Sequence, residues 1–423
     1  MSPVAAFAAS PALPEWKMLA GYAIFAASYL VFALGRLPGL KTDRSAMAIV
    51  GAVAMVALGI VPLGSALRAV DFPTIVLLFS MMLLIGFLRV GGGFDDLAGL
   101  LANRLPPRYL LPTVIFATGV LSAFLVNDVV CLVMVPFVVL TTRRMDLRPL
   151  PYLLAVATAS NIGSVATITG NPQNMLIGSV SGISYRDFLM HLGPVAVIGL
   201  GLDWLVLRVF VSAGRAQPAG ATSVVPDVAA VPDPSPRHLG KPVMVTVAVV
   251  VGFLCGVPPA MMAALGAAAM LLTRRRDPQQ AYAEVNWDLL IFFIGLFIIV
   301  DGAENVGLTG HLLALARRGN LQQSGVFALV TAAISNLVSN VPAVMLLKGL
   351  IPSFPNAHHA WLLLAMASTL AGNLTITGSV ANLIVVEQAR EWTPIGFWDY
   401  FKVGAPVTVL TLAVGWGWLR YVG

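Results

Sequence analysis

The sequence predicts an all-α polytopic membrane protein built from two related halves. Hydrophobic residues make up 58% of the 423 positions and charged residues only 10%, and the mean hydropathy is +0.88. These values lie far outside the range of soluble domains, and apolar stretches of about 20 residues, the length that crosses a bilayer, recur along the chain. The tetrapeptide Thr-Ile-Thr-Gly occurs at 167–170 and again at 375–378, inside two of these stretches. We therefore expect about ten transmembrane helices arranged as two repeats.

The segment 213–240 separates the two halves. It combines alanine and serine with prolines at 218, 226, 232, 234 and 236. Such a composition cannot bury enough apolar surface to fold by itself. We interpret the segment as a linker.

Matching residues occur in the same order in both halves. Ser122 and Asn127 correspond to Ser335 and Asn340, with the same spacing in each pair. The two Thr-Ile-Thr-Gly motifs follow, and Asn174 stands opposite Asn382. Several anchors in one order indicate an internal duplication, a common basis of transporter folds.

The apolar run 109–142 is too long for one helix and has Asn127 and Asp128 at its middle. We expect it to fold back there as a re-entrant hairpin, with 323–352 as its equivalent. Each half then has an odd number of crossings, so the repeats are inverted. Two full crossings instead of a hairpin give parallel halves, and the distribution of positive charge does not exclude this alternative. Polar tip residues need partners at membrane depth, which favours the hairpin.

The runs 150–181 and 360–386 are predicted to be broken helices. Gly170 and Pro172 interrupt the first run, whereas the second has Gly378 and Ser379. The breaks expose backbone donors and acceptors, and a helix that starts near Gln173 directs positive partial charge toward the midplane.

Arginines predict the orientation in the membrane. With the hairpin assumed, Arg143, Arg144 and the run 274–276 fall on the side of the linker, which should be the cytoplasm. We expect a multi-pass protein of the plasma (inner) membrane with both termini outside and 213–240 in the cytoplasm.

Polar residues at the predicted tips and breaks form the candidate binding site. Such groups at membrane depth are costly unless they line a cavity or bind a ligand. Simple hydrogen bonding between helices is the alternative for either cluster alone, but two symmetric clusters favour a site. The predicted substrate-binding residues are Asn127, Thr167, Thr169, Gly170, Asn171, Asn174, Ser335, Asn340, Thr375, Thr377, Gly378, Ser379 and Asn382.

Asp128 breaks the symmetry, because Val341 stands at the matching position. A carboxyl group at membrane depth binds protons or cations or pairs with a positive group, so we expect Asp128 to couple transport to an ion. A cap for backbone amides is the alternative role. Cys131 lies one helical turn beyond Asn127, so its thiol could contact the substrate as a soft ligand. The alternative is inert packing, the usual role of an isolated cysteine in an apolar run.

Motifs of enzymes are absent from the sequence, including H-E-x-x-H, G-x-S-x-G and the P-loop. We therefore expect a secondary transporter that is not an enzyme. It would use an ion gradient, a partner ATPase or the gradient of its substrate. We expect no cofactor, metal centre or nucleic-acid partner.

These residues resemble the ion transporter superfamily over about 17–420. Asn127-Asp128 and Asn340-Val341-Pro342 resemble the hairpin tips of the arsenite permease branch, and the stretch from Ser160 to Asn174 resembles the broken helix of the silicon-efflux branch. The divalent anion/sodium symporters are more distantly similar, because their tips usually show Ser-Asn-Thr.

The resemblance implies an elevator-type mechanism. Segments 1–105 and 241–307 would form a scaffold, and 106–212 and 308–423 would form the transport parts. It also implies export of arsenite or antimonite as neutral hydroxides, a homodimer, and a cytoplasmic ATPase subunit in some members. We expect Asn161 and Gly163 to take part in ion coupling together with Asp128.

Three hypotheses follow from the sequence. The first is proton-coupled export of a metalloid hydroxide, with Asp128 as the coupling residue. The second is a sodium-coupled symporter of a dicarboxylate or inorganic oxyanion, with Na⁺ held by carbonyl groups around Gly163, Asn127 and Asn340. The third is an intramembrane structural or channel protein.

Overall fold

The computed structural model describes residues 13–35, 42–91, 106–214, 240–272 and 277–422, and within these ranges the fold is all-α, as predicted. The linker predicted at 213–240 lies almost entirely outside the described residues. Two compact units are distinguished, 1–71 with 288–319 and 72–287 with 320–423. This division assigns 72–90 and 240–287 to the same unit as the predicted transport parts, so the predicted scaffold boundaries stay a prediction.

The first unit contains α1 to α3 and the α13–α14 pair. The ranges are α1 Glu15–Leu34, α2 Arg44–Ala57, α3 Leu63–Ala69, α13 Trp287–Asn305 and α14 Leu308–Arg318. Close helix packing depends on small residues here. A Cβ added to Gly51 would lie 2.6 Å from Ser28 Oγ, and one added to Gly295 would lie 2.6 Å from the Ala48 carbonyl carbon. At Gly295, α13 therefore approaches the backbone of α2 directly, and at Gly51 the side chain of Ser28 fills the space that a larger residue would need.

A sharp bend of 75° separates α13 from α14. Gly307 adopts a positive φ of 92° at the bend, a conformation that glycine adopts without a steric penalty. The hydroxyl of Tyr22 donates to the Val306 carbonyl at 3.0 Å and lies 2.7 Å from His311 Nδ1. These bonds fix the bend against α1.

The second unit contains the remaining helices. In the first half of the chain they are α4 Phe72–Val90, α5 Pro107–Phe124, α6 Asn127–Arg144, α7 Leu150–Ser164, α8 Pro172–Ser181 and α9 Tyr185–Gly214. In the second half they are α10 Gly240–Leu254, α11 Pro259–Leu271, α12 Pro278–Ala283, α15 Ser324–Val338, α16 Asn340–Leu347, α17 Ala357–Ala371, α18 Val380–Ala389 and α19 Phe397–Val422. Short 3₁₀ helices occupy Lys348–Ser353 and Ile376–Gly378.

Both predicted hairpins are interrupted at the expected residues. The run 109–142 becomes α5 and α6, which contact each other and are separated by Leu125 and Val126. The run 323–352 becomes α15 and α16, separated by Ser339 with a φ of 76°. Re-entrance into the membrane stays a prediction.

Both predicted broken helices are also interrupted. The first break spans 165–171, so α7 ends earlier than the expected unwinding at Gly170. The second break spans 372–379 and includes the short 3₁₀ helix. The opposite orientation of the two halves and the elevator motion stay predictions.

Five helices in the described ranges are long and apolar enough to cross a membrane, or six if α13 and α14 count as one span. Further apolar helices of 10–17 residues, among them α10, α11 and α15, are too short for this criterion. The chain is therefore a multi-pass membrane protein. The expected total of about ten crossings depends on the shorter helices.

Candidate functional site

Asn174 closes the break between α7 and α8. Its Nδ2 donates to the carbonyl groups of Ser164 at 3.1 Å and Thr167 at 3.0 Å. Asn171 caps α8, because its Oδ1 accepts from the backbone N–H of Asn174 at 2.9 Å. The Thr167 hydroxyl donates to the Ala123 carbonyl. Side chains thus satisfy backbone groups that the break removes from the helical ladder.

Asn382 closes the second break in the same way. Its Nδ2 donates to the carbonyl groups of Gly372 at 2.7 Å and Thr375 at 3.1 Å. The Thr375 hydroxyl donates to Asn336 Oδ1 at 3.3 Å. Thr377 is exposed, unlike its buried counterpart in the first half, and contacts Thr375 at 3.4 Å. The duplication seen in the sequence therefore extends to individual hydrogen bonds.

The tip of each hairpin contacts the break of its own half. The backbone N–H of Asn127 donates to the Gly170 carbonyl at 2.9 Å. The side-chain amide of Asn340 is oriented so that both its nitrogen and its oxygen form hydrogen bonds. The nitrogen donates to the Gly378 carbonyl at 3.0 Å, and the oxygen accepts from Gln173 Nε2 at 3.2 Å. The structure therefore brings the predicted tips and breaks together.

A first group of buried side chains, here called the Asn161 cluster, consists of Asn127, Asn161, Asn373, Ser379 and Asn382. Asn161 Nδ2 donates to Asn373 Oδ1 at 2.8 Å and to Asn382 Oδ1 at 3.0 Å. Its Oδ1 accepts from Asn127 Nδ2 at 3.1 Å and from Ser379 Oγ at 2.9 Å. One amide thus uses both donors and both lone pairs, and it joins residues from the two halves of the chain.

A second group, here called the Thr369 cluster, consists of Ser164, Asn171, Gln173, Asn174 and Thr369. Thr369 Oγ1 accepts from Asn171 Nδ2 at 3.2 Å and Gln173 Nε2 at 3.1 Å, and donates to Asn174 Oδ1 at 3.4 Å. Asn171 Nδ2 also donates to Ser164 Oγ at 2.9 Å. Thr369 precedes Thr375 by the same spacing that separates Asn161 from Thr167. The helix before each break thus contacts the break of the other half.

The two hairpin tips differ in their hydrogen bonding. Ser335 donates to the Ser368 carbonyl at 2.9 Å and lies 2.7 Å from the Asn340 amide group. At the first tip, Ser122 Oγ and Asn127 Oδ1 are buried and have no hydrogen-bond partner among the described residues. Buried polar atoms without a partner are uncommon, so these two atoms mark a position where a ligand can bond.

Asp128 lies in the first turn of α6 and is 8% exposed. In the described ranges, its carboxylate forms no hydrogen bond or salt bridge, and the N-terminus of α6 has no side-chain cap. The capping role considered from the sequence is therefore not observed. Cys131 is fully buried and lies near Asp128 and Ser160.

The glycines of the predicted site allow close backbone contacts. A Cβ on Gly170 would overlap the carbonyl group of Ser164 and lie 2.6 Å from its Cα. A Cβ on Gly163 would overlap the backbone of Gly119, where α5 and α7 cross. Both glycines therefore act through packing. Thr169 lies in the first break and contacts the Tyr185 hydroxyl at 2.9 Å.

Some site residues were not identified from the sequence. Three of them, Asn373, Gln173 and Ser164, lie close to the two Thr-Ile-Thr-Gly motifs. This closeness in sequence could have identified them as site residues. Thr369 carried no signal except its alignment with Asn161. Asp203 is fully buried, and the signal for it was an acidic residue within an apolar run.

The described residues contain no group of three or more His, Cys, Asp or Glu side chains that could hold a metal ion. The site is formed by amides, hydroxyl groups and backbone carbonyls. Such groups exchange hydrogen bonds with a small polar solute.

A multi-pass helical fold with two buried polar clusters at interrupted helices defines a membrane transporter. Residues 29–371 match the citrate transporter family, CitMHS, and the chain belongs to this family. The predicted resemblance to the ion transporter superfamily is confirmed, and the chain is a secondary transporter.

Three relatives illustrate how the similarity extends over most of the chain. The silicon efflux transporter LSI3 of Oryza sativa subsp. japonica is 31% identical, with 94% of this chain and 97% of that protein covered. The 46 kDa membrane protein of Mycobacterium leprae is 31% identical, with 94% and 98% covered. The putative transporter arsB of Dictyostelium discoideum is 24% identical, with 89% and 87% covered.

The fold is similar to a solved structure. The YdaH transporter of Alcanivorax borkumensis superposes with a TM-score of 0.57, covering 96% of this chain and 97% of that chain. Sequence identity is 16%, so the similarity concerns the fold.

Proposed function

We propose that this protein exports arsenite or antimonite, as the neutral trihydroxide, in exchange for protons. The proposal rests on two buried oxygen atoms at the first tip, Ser122 Oγ and Asn127 Oδ1, which have no hydrogen-bond partner among the described residues. A trihydroxide has three O–H donors and oxygen lone pairs, so it can bond to both atoms. Neither the Asn161 cluster nor the Thr369 cluster contains Lys or Arg, which suits a neutral substrate better than an anion.

The names of relatives support the same substrate class. One relative is a silicon efflux transporter and another a putative transporter arsB. Silicon and trivalent arsenic both form neutral hydroxides in water. A site of amide and hydroxyl groups, rather than cations, is expected for such solutes.

Asp128 is the proposed proton-coupling residue. It is buried beside Asn127, and no described residue forms a hydrogen bond or salt bridge with its carboxylate. A charge on Asp128 is costly in such surroundings, which favours binding of a proton. Because Asn127 is the adjacent residue, substrate binding at Asn127 and proton binding at Asp128 influence each other directly. In the elevator mechanism proposed here, the hairpins and broken helices carry this site across the membrane.

Uptake of arsenite by everted membrane vesicles tests the proposal. The cytoplasmic face points outward in these vesicles, so export appears as uptake, and an acidic interior drives it. We expect arsenite accumulation that collapses with a protonophore. Asp128→Asn should abolish the dependence on the pH gradient.

Asp146→Asn is the matched control, because Asp146 is exposed just after the same helix and loses the same charge. It should leave uptake unchanged. Uptake by Asp128→Asn that still follows the pH gradient would remove Asp128 from coupling. No uptake by the wild-type protein in folded form would refute the proposed substrate.

A sodium-coupled anion symporter is the second candidate, and the description of the matched family as citrate transporters favours it. Proteoliposomes with an inward Na⁺ gradient should then accumulate citrate or succinate. Arsenite transport that is independent of Na⁺, together with no uptake of citrate or succinate, would exclude this candidate.

A further inference from the structure

A second acidic residue, Asp203 on α9, is enclosed in the unit that contains both clusters. Its side chain is fully buried. Oδ2 accepts from Thr158 Oγ1 at 3.1 Å, whereas Oδ1 has no hydrogen-bond partner among the described residues. An ionised carboxylate with one neutral partner is costly in such surroundings, so proton binding offers a way to remove the charge.

Among the described residues, no Lys, Arg or His side chain forms a salt bridge with Asp203. Its helix packs against α5, α7, α10, α17 and α19. Tyr400 on α19 lies near Asp203 and near Cys131 of α6, and its buried hydroxyl has no hydrogen-bond partner among the described residues. The other titratable or charged groups described on the packed helices form no bond with Asp203: Arg108, Tyr109, Tyr152, Lys241, His358, His359, Asp399, Lys402, Arg420 and Tyr421.

Thr158 can serve both charge states of Asp203. Its hydroxyl lies 2.9 Å from the Leu154 carbonyl as well as 3.1 Å from Asp203 Oδ2. A hydroxyl has one hydrogen, so it donates to the carboxylate when Asp203 is ionised. When Asp203 is protonated, the acid donates to Thr158 Oγ1 and the hydroxyl donates to Leu154. The hydrogen bond reverses without a change in the heavy-atom positions.

A direct connection leads from this pair to the Asn161 cluster. Asn373 Nδ2 donates to the Thr158 carbonyl at 3.2 Å, and Asn373 Oδ1 accepts from Asn161. A Cβ added to Gly404 would overlap the Asn373 carbonyl and lie 2.8 Å from the Tyr400 ring. Asn373, a member of the Asn161 cluster, therefore connects that cluster to the backbone of Thr158, and α19 packs closely against Asn373 at Gly404.

We propose that Asp203 is a second proton-binding site of the transporter and that Thr158 and Asn373 connect its charge state to the Asn161 cluster. The proton adds to a carboxylate oxygen to give the neutral acid and later returns to water, and no other bond is formed or broken. This inference rests on the proposed proton coupling. It differs from the role of Asp128, which lies at the hairpin tip.

Infrared difference spectroscopy of the purified protein tests proton binding without any transported substrate. Acidification should produce carbonyl-stretch bands of protonated carboxylic acids, and one of them, here called the Asp203 band, should be lost in Asp203→Asn. Asp187→Asn, at the half-buried start of the same helix where Asp187 contacts His191 and His358, should retain this band. Thr158→Val should shift the band and its pH midpoint, and Thr158→Ser should restore both.

Arsenite transport in proteoliposomes provides the second readout. Asp203→Asn should lose accumulation driven by a pH gradient but retain counterflow of arsenite between equal concentrations, which shows that the variant is folded. An unchanged infrared band in Asp203→Asn, or full gradient-driven accumulation by this variant, would overturn the inference. A wild-type protein that shows the Asp203 band but no arsenite transport would refute the proposed substrate and leave Asp203 as a proton site. If Asp203→Asn loses counterflow as well, retention of the band by this variant overturns the inference and loss of the band supports it.

Discussion

Asn174 and Asn382 make the same pair of hydrogen bonds at corresponding positions of the two halves. Each side-chain amide donates to the carbonyl groups ten and seven residues before it, Ser164 and Thr167 in one half and Gly372 and Thr375 in the other. A helix break needs such bonds, because its backbone groups have lost their helical partners and water is scarce at membrane depth. The two asparagines thus stabilise equivalent interruptions.

Asn161 is expected to be the most sensitive residue of its cluster. Its replacement in Asn161→Ala leaves several buried polar groups unpaired, each at a cost of about 1–3 kcal/mol. We therefore expect a clear fall in the thermal midpoint of the purified protein in detergent. Asn305→Ala, which removes an exposed amide that bonds Asp301 at 3.3 Å, is the control. Equal midpoints for the two variants would contradict the central role of Asn161.

Ser122 and Ser335 provide a matched pair that separates stability from binding. Ser335→Ala should lower stability by roughly 1 kcal/mol, because its hydroxyl is engaged with Ser368 and Asn340. Ser122→Ala should leave stability unchanged, because its hydroxyl has no protein partner in the described ranges. Arsenite binding by calorimetry should weaken in Ser122→Ala. Unchanged affinity in that variant would exclude Ser122 from the substrate site.

Gly170 should not tolerate a side chain, because an added Cβ would overlap the Ser164 carbonyl. Gly170→Ala is expected to reduce the folded yield and to abolish transport. Gly201→Ala is the control, since an added Cβ on this glycine of α9 meets no atom within 4 Å. Alanine also favours a helix over glycine by about 1 kcal/mol. Similar folded yields for both variants would show that the break tolerates displacement of Ser164.

The orientation of the chain is testable by labelling in intact cells. In a background without Cys131 and Cys255, a membrane-impermeant maleimide should label Ala6→Cys. Ser223→Cys should react only after the cells are permeabilised, because the linker is predicted to be cytoplasmic. Labelling of Ser223→Cys in intact cells would reverse the predicted orientation.

Much of the architecture could be predicted from local sequence features. Long apolar runs predict membrane helices, and the residues that interrupt them predicted the divisions between α5 and α6 and between α15 and α16. The first break was predicted to begin at Gly170, whereas α7 already ends at Ser164 and the break spans 165–171. Helix ends are difficult to locate here because the apolar residues on both sides have similar helix propensity.

The candidate site was predicted less completely. Thr377 matches Thr169 in sequence, yet it is exposed whereas Thr169 is buried. Thr369 and Asn373 were not identified, because their importance comes from contacts with residues of the other half. A repeat alignment compares corresponding positions but does not show which residues of the two halves meet.

The sequence by itself determined that this protein is a multi-pass membrane transporter with an internal duplication, because hydropathy and repeated motifs are properties of the linear chain. Only the tertiary structure decided that Asn161 and Thr369 each contact the break of the opposite half, and that Asp203 is buried with Thr158 as its hydrogen-bond partner. Hydrogen bonds between distant segments depend on helix packing and side-chain direction, which no local pattern specifies.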